Sequence, residues 1–278
     1  MATPNLNKSK DNVSESTEEL NETLEHGVNL AEDDEEVYEL LAGYTDKDGV
    51  THKEFTMREM TGRDEEAIHK GDVKNNSSKV ASLLLSRCIT SIGTLTPKSV
   101  GAKKWDDIIK SLYVGDQDYM LLQLRKISVG EELEVNHVCP NCKAKLKTTI
   151  SVDELEIKRF KGVKSIEFTL PRGYKDKHGE VHKTGTMRLP NGLDREILTP
   201  LAKSNLARAE TVMLTRLCKF SDDMPIDESV MGDLSIRDRE YLQKLLQEHN
   251  FGVSLETEVT CDSCGETFTG AFNATNFL

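Results

Sequence analysis

Four of the six cysteines in this chain are arranged as two C-x-x-C pairs, Cys139 with Cys142 and Cys261 with Cys264. Two sulfurs separated by two residues at the tip of a hairpin point to the same side and can hold one edge of a metal ion. Two such tips supply four thiolates, a usual ligand set for a closed tetrahedral zinc site with Zn–S bonds of about 2.3 Å. We therefore predict one structural Zn²⁺ ion bound by all four cysteines, which would contribute on the order of 10 kcal/mol to folding.

The two pairs lie far apart in the chain, with 118 residues between Cys142 and Cys261. This distance leaves a second interpretation open, in which each pair is half of a site completed by another chain. A redox role is a further alternative, but a reactive C-x-x-C usually opens a helix that lowers the thiol pKa, and strand-forming residues follow both pairs here. A catalytic zinc ion typically uses nitrogen or oxygen ligands. His137 is the nearest such residue, but its equivalent in the second pair is Val259, so we expect a satisfied or exposed histidine.

An internal repeat explains the long separation. Residues 43–64 and 173–194 are identical at about a dozen of 22 positions, at a constant offset of 130. Beyond a loop that is shorter in the second half, an offset of 122 carries the first cysteine pair onto the second. The sequence therefore predicts two repeat units, residues 37–160 and 163–278, whose pseudo-twofold arrangement would bring the two pairs together.

Each unit is predicted to be α+β. It begins with a β-hairpin whose turn contains a glycine, and continues with a helix capped by Thr61 or Asn191. A second helix is predicted to extend to Ile92, and its apolar face contains Cys88, which the offset of 130 aligns with Cys218. A third helix starts near Asp116, where a carboxylate complements free backbone amides. A strand, the C-x-x-C knuckle and another strand complete the unit, and the two knuckles are expected to pair as a zinc-ribbon-like site.

The composition is that of an acidic protein with 30% charged residues, a mean hydropathy of -0.50 and a net charge of -12. No apolar run approaches the roughly 20 residues that span a bilayer, and the first residues lack a secretory signal, so we expect no membrane contact and a reducing, cytosolic compartment. The negative charge disfavours nucleic-acid binding, and the lysine-rich stretch near 143–164 is better explained as a solvated strand face. Residues 1–36 are acidic with few apolar side chains, which predicts a disordered tail.

No catalytic residue is predicted. Cys88 and Cys218 are expected to behave as small hydrophobic side chains. His52 and His182 follow turn glycines and are expected to be strand residues, and Asp64 is explained by capping of a helix. The sequence contains no recognisable nucleophile with its base and no phosphate-binding glycine loop, so we expect no enzymatic activity. Beyond the cysteines, the ligand-binding residues are unknown.

Two motifs carry a resemblance to a known family. One is an F-T-x-R-x-x-T-x-x-D-E helix opening. The other is a D-x-x-Y-L-L-x-x-L-R stretch that precedes a C-P-x-C pair, and here Met120 stands where the pattern has its first leucine. The matching residues are Phe55, Thr56, Arg58, Thr61, Asp64, Glu65, Asp116, Tyr119, Met120, Leu121, Leu124, Arg125, Cys139, Pro140 and Cys142. In these motifs the chain resembles the phage T4-type baseplate hub assembly proteins of contractile tails. The second unit departs from the pattern at Pro190, Asn191 and Arg195.

The resemblance implies a non-enzymatic structural or assembly protein of the tail baseplate hub. Such a protein binds other hub or tape-measure proteins in the host cytoplasm during assembly, and the virion tail is its second expected location. A cellular zinc-ribbon adaptor or regulatory protein-binding module stays open as an alternative, and so does an enzyme with unrecognised loop residues. The functional site, and not the fold alone, distinguishes these alternatives, because one fold can serve proteins of different function.

Overall fold

The computed structural model of the protein describes residues 36–71 and 73–272. Within this part of the chain the fold is α+β, as predicted. The predicted acidic tail lies outside the described residues except for Glu36. Strands β1 to β12 span Val37–Thr45, Thr51–Met57, Ile89–Ile92, Glu132–Val138, Lys145–Ser151, Ile157–Lys158, Ser165–Lys175, Val181–Arg188, Cys218–Phe220, Gly252–Val253, Glu256–Thr260 and Thr267–Ala271. Helices α1 to α9 span Gly62–Ile68, Ser77–Cys88, Pro97–Val100, Ala102–Ser111, Val114–Ser128, Gly192–Ser204, Leu206–Leu217, Glu228–Asp233 and Ile236–His249.

Two three-stranded antiparallel sheets have the same strand order, β1-β2-β3 and β7-β8-β9. In each sheet a hairpin supplies the first two strands, and its turn contains Gly49 or Gly179 with φ of 81° or 88°. Glycine adopts this left-handed conformation without steric cost. The register of the first strand shifts before Tyr44 in one sheet and before Tyr174 in the other. The two sheets therefore share both their order and the position of a bulge.

A buried aspartate from a helix binds each bulged strand. Oδ1 of Asp116, in the first turn of α5, accepts a hydrogen bond of 3.0 Å from the backbone amide of Ala42. Asp238, in the first turn of α9, accepts one of 2.8 Å from the amide of Arg172. A bulge leaves strand amides unpaired, and buried amides need a partner. Asp116 thus accepts a hydrogen bond from a strand amide, where the sequence predicts the free amides of its own helix.

The first half of the described chain contains more helices than the sequence predicts. Between β3 and α5 the chain forms α3 and α4, which have no counterpart among the predicted elements. Helix α4 buries Trp105, whose Nε1 donates a hydrogen bond of 3.0 Å to the carbonyl of Ser86 in α2. The predicted second helix, in contrast, is shorter than expected. It ends at Cys88 because Ile89–Ile92 pairs with β2 as a strand.

The strand register corrects one alignment made from the sequence. Met57 pairs with Ile89, the first residue of β3, and Met187 pairs with Cys218, the first residue of β9. Cys218 therefore occupies the position of Ile89 and not that of Cys88. Both cysteines are buried, with 0% and 7% exposure, and pack as small hydrophobic side chains as predicted.

Two hydrophobic cores hold the fold together, and each includes side chains from both halves of the chain. The core built around Phe55 and Trp105 also includes Val253. The core built around Met187 also includes Ala42 of β1. All the described residues belong to one compact unit. None of the described helices combines the length and apolar character needed to cross a bilayer.

Candidate metal centre

Two β-hairpins carry the four cysteines that the sequence singles out. The hairpin β4-β5 holds Cys139 and Cys142 in its turn, and the hairpin β11-β12 holds Cys261 and Cys264. Alternate residues of β4 are buried. A slip of one residue would expose this buried face, so the register is determined and with it the direction in which the turn points.

The backbone of each turn is folded in the same way. In the first turn the amide of Cys139 donates to the carbonyl of Ala144 at 2.9 Å, and the amide of Lys143 donates to the carbonyl of Cys139 at 3.1 Å. The same two hydrogen bonds form in the second turn, where Gly265 stands in place of Lys143. Both residues have left-handed backbones, with φ of 60° at Lys143 and 75° at Gly265. This conformation suits glycine and is strained for lysine.

The structure brings all four sulfurs together. Sγ of Cys139 lies 3.7 Å from Sγ of Cys264, and Sγ of Cys142 lies 3.6 Å from Sγ of Cys261. The four sulfurs all lie within 4.8 Å of one another. Each of the two close pairs joins one hairpin to the other. The cluster therefore needs both hairpins, although 118 residues separate them in the sequence.

These separations fit a metal ion bound by four thiolates. Four Zn–S bonds of about 2.3 Å in a tetrahedron place neighbouring sulfurs about 3.8 Å apart. The two cross-hairpin distances of 3.6 and 3.7 Å are close to this value, and both far exceed a disulfide bond of about 2.05 Å. The arrangement is thus suited to a thiolate-bound cation and not to a pair of disulfides.

Backbone amides favour the thiolate form of one ligand. The amides of Cys142 and Asn141 donate hydrogen bonds to the sulfur of Cys139, and they lower the pKa of its thiol to about 7. At Cys142 the amide of Ala144 acts in the same direction, but the neighbouring thiol of Cys264 contributes to a net rise of the pKa to about 12. A cation at the centre would favour the thiolate form of all four cysteines, because metal binding displaces the thiol protons.

The cluster lies at the protein surface. Cys139 and Cys261 are buried, whereas Cys142 and Cys264 are exposed. The side-chain amide of Asn141 lies 3.8 Å from the sulfur of Cys264 and donates to it. A bound ion would therefore be reached by solvent from one side, and a chelator could remove it without unfolding the protein first.

His137 takes no part in the cluster, and its predicted environment was wrong. The ring is 6% exposed and packs edge-on against Phe268, with 6.4 Å between the ring centroids. Its Nε2 atom forms no hydrogen bond with any residue that the structure describes. The sequence predicted a satisfied or exposed histidine. The structure instead buries the ring against the opposite hairpin and leaves one nitrogen unpaired.

The remaining cysteines and two further histidines lie where the sequence predicts. Burial raises the pKa of the Cys88 thiol to about 11 and that of the Cys218 thiol to about 12. Thiols with such pKa values stay protonated at neutral pH and are unreactive. His52 and His182 are strand residues of β2 and β8.

Comparison with known protein families gives a match. A family model described as T4 bacteriophage base plate protein matches residues 44–196, more than half of the chain. The matched segment includes Cys139 and Cys142 but ends before the second cysteine pair. No curated protein and no solved structure gives a significant match.

Proposed function

The chain belongs to the T4 bacteriophage base plate protein family, and on that premise we propose that it is a non-enzymatic structural or assembly protein of the baseplate hub, stabilised by one Zn²⁺ ion. Cys139, Cys142, Cys261 and Cys264 are the proposed ligands. The observation that carries the zinc proposal is the convergence of four sulfurs from two separate hairpins within 4.8 Å of one another, with cross-hairpin distances of 3.6 and 3.7 Å that match a zinc tetrahedron. Such an ion would stabilise the fold, because it would cross-link two hairpins that are far apart in the sequence.

A duplicated architecture is part of the proposal. We infer two repeat units, residues 37–160 and 163–278, preceded by an acidic tail of residues 1–36. The matching order of the two three-stranded sheets supports this inference, and so do the equivalent positions of Asp116 and Asp238 at the two bulges. Two copies of a unit need contacts that hold them in one orientation. The shared ion would provide such a contact, and so would the two hydrophobic cores, which each contain side chains from both halves of the chain.

The role that fits these features is mechanical and not catalytic. A baseplate hub is built from many proteins, so its components work by presenting rigid surfaces to one another. The proposed partners are other tail, hub or tape-measure proteins of the same phage. The proposed locations are the host cytoplasm during assembly and the tail baseplate of the virion.

Co-purification with tail proteins tests this function. The full-length chain is expressed with an affinity tag alongside each hub and tape-measure protein of the same phage genome, and complexes are identified by mass spectrometry. We expect stable binding to at least one of them, and weaker binding by Cys139→Ser if the ion holds the binding surface in place. Binding of no tail component would contradict the proposal and would favour the cellular adaptor interpretation.

A further inference from the structure

A second group of potential metal ligands lies at the tip of the β7-β8 hairpin, away from the cysteine cluster. Asp176, Glu180 and His182 each offer one ligand atom, and these atoms lie within 4.8 Å of one another. Acidic groups at a turn are common and do not indicate a metal by themselves. The geometry of the histidine supplies the additional argument.

His182 directs an unpaired nitrogen at the carboxylates. The residue is 7% exposed, and its Nε2 atom is buried without a hydrogen bond to any described residue. Nε2 lies 3.9 Å from Oδ2 of Asp176. This distance is too long for a hydrogen bond, but it is shorter than the sum of two metal–ligand bonds of about 2.0–2.2 Å each. One ion can therefore bind both atoms.

The other nitrogen of this ring is held in place. Nδ1 of His182 lies 2.6 Å from Oδ2 of Asp222, in the loop after β9. A carboxylate at this position keeps the proton on Nδ1 and leaves the lone pair of Nε2 available for a metal. Asp176 is also oriented, because its Oδ1 atom accepts hydrogen bonds from the amides of His178 and Glu180 at 2.9 and 2.8 Å. Its Oδ2 atom remains directed towards the histidine.

The first hairpin is a natural comparison, because it contains the same aspartate and histidine. There Nε2 of His52 forms a direct hydrogen bond of 3.0 Å with Oδ2 of Asp46, so the nitrogen has a partner. The offset of 130 places Val50 where the second hairpin has Glu180. Gly93 packs against the ring so closely that a Cβ there would lie 2.5 Å from Nδ1. The first hairpin thus lacks the additional acid, and no carboxylate of the described residues forms a hydrogen bond with Nδ1 of His52.

From these contacts we propose that the second hairpin binds a divalent transition-metal ion of the Zn²⁺ class. Nε2 of His182 and the carboxylates of Asp176 and Glu180 are the ligands, and Asp222 orients the histidine. Imidazole and carboxylate together suit zinc and its neighbours in the first transition row. Three protein ligands leave one tetrahedral position for water. The ion would tie the hairpin tip to the loop after β9.

Calorimetric titration of the full-length protein with ZnCl₂ tests the proposal. The protein is first purified in the presence of zinc and dialysed to remove weakly bound ions. We expect one additional Zn²⁺ per chain in the titration. Glu180→Val, which copies the first hairpin at an exposed position, should weaken this binding at least 10-fold, and Asp222→Asn should weaken it about 10- to 100-fold. Asp48→Asn, at the tip of the first hairpin, is the matched control and should bind like the unaltered protein.

Histidine ring ¹⁵N NMR identifies the nitrogen. Addition of Zn²⁺ should move the Nε2 resonance of His182 to a metal-bound position and leave that of His52 unchanged. The proposal would be overturned by the absence of additional binding, by binding that Glu180→Val leaves intact, or by a His182 ring that keeps protons on both nitrogens throughout the titration. Cys139→Ser should not affect this site, so failure of the cysteine site and failure of this one are distinguishable.

Discussion

Gly115 in α5 and Gly252 in β10 lie against each other with no room for a side chain. A Cβ on Gly252 would lie 2.6 Å from Cα of Gly115, and a Cβ on Gly115 would lie 2.4 Å from the carbonyl oxygen of Phe251. The contact brings a helix of the first half against a strand of the second half. In packing this close, even a small increase in side-chain volume strains the neighbouring backbone.

We expect Gly252→Ala to destabilise the protein more than Gly130→Ala. The two glycines have similar positive φ of 114° and 111°, so each alanine carries a backbone cost of about 1–2 kcal/mol. A Cβ at Gly130 meets no described atom within 4 Å. Any additional loss of unfolding free energy in Gly252→Ala, on the order of 1–3 kcal/mol, therefore measures the steric clash with Gly115. Urea unfolding of the two variants measures the difference, and equal losses would contradict the packing argument.

Removal of single cysteines tests whether one ion is shared. We expect Cys139→Ser and Cys261→Ser each to abolish the zinc content of the cysteine site and to lower the free energy of unfolding by similar amounts, about 3 kcal/mol or more. The reason is that the ligands come in equal numbers from the two hairpins. Metal analysis and thermal unfolding are the measurements, and Cys88→Ala is the control that should retain the metal. Loss of zinc and of stability in only one of these two serine variants would exclude shared coordination.

The strained lysine in the first knuckle gives a stabilising prediction. Lys143 has a φ of 60° where the second knuckle has Gly265. We expect Lys143→Gly to raise the free energy of unfolding by roughly 0.5–1 kcal/mol, because glycine adopts this backbone without steric cost, although its greater freedom in the unfolded chain offsets part of the gain. Gly265→Ala should lower the free energy of unfolding, because alanine is strained at a φ of 75°. Chemical unfolding of both variants with zinc bound provides the test, and a destabilised Lys143→Gly would show that the lysine backbone is not strained.

Asp64 is a buried carboxylate that binds two arginines. Arg58 donates to both of its oxygens at 2.8 and 3.0 Å, and Nε of Arg87 donates to Oδ1 at 2.7 Å. The hydrogen bonds from Arg58 are the largest reason that the pKa of Asp64 is lowered, although burial opposes them. Asp194 forms an equivalent pair of contacts with Arg188 and a second arginine.

The lowered pKa of Asp64 predicts how stability depends on pH. An aspartate with a folded-state pKa below its unfolded value of about 3.9 stabilises the protein above that pH, and the contribution is lost as the pH falls towards the folded-state pKa. We expect Asp64→Asn to cost roughly 2–3 kcal/mol at pH 7, below the full cost of breaking a buried ion pair because both arginines are partly exposed. The difference in unfolding free energy between the unaltered protein and Asp64→Asn should become smaller below about pH 4.

Urea unfolding of the unaltered protein and of Asp64→Asn at pH 7, 4 and 3 measures this dependence. Asp48→Asn, in an exposed turn, is the control and should show no comparable change. A stability difference that stays constant across this range would mean that the ionised carboxylate is not the stabilising form.

Several elements could be read from the sequence because their determinants are local. Thr61 and Asn191 cap α1 and α6 as predicted, since a cap depends on residues within one helical turn. Helices α3 and α4 were missed because they are short, with 4 and 10 residues, although Trp105, Ile108 and Ile109 in α4 have helical spacing. The alignment of Cys88 with Cys218 failed because a constant offset cannot detect a one-residue difference in loop length: the offset is already 129 at the N-caps of the two helices, Asn76 and Asn205.

The sequence by itself determined the chemistry of the candidate metal centre, since the type and spacing of Cys139 and Cys142 already specify a pair of thiol ligands. Only the tertiary structure decided that Cys139 faces Cys264 and Cys142 faces Cys261. It also decided that Asp222 forms a hydrogen bond with Nδ1 of His182, whereas within residues 36–71 and 73–272 no acid does so for His52. The physical reason is that spacing encodes interactions along one element, whereas a contact across 40 or 118 residues exists only after the cores have packed and the intervening chain has been closed into a loop.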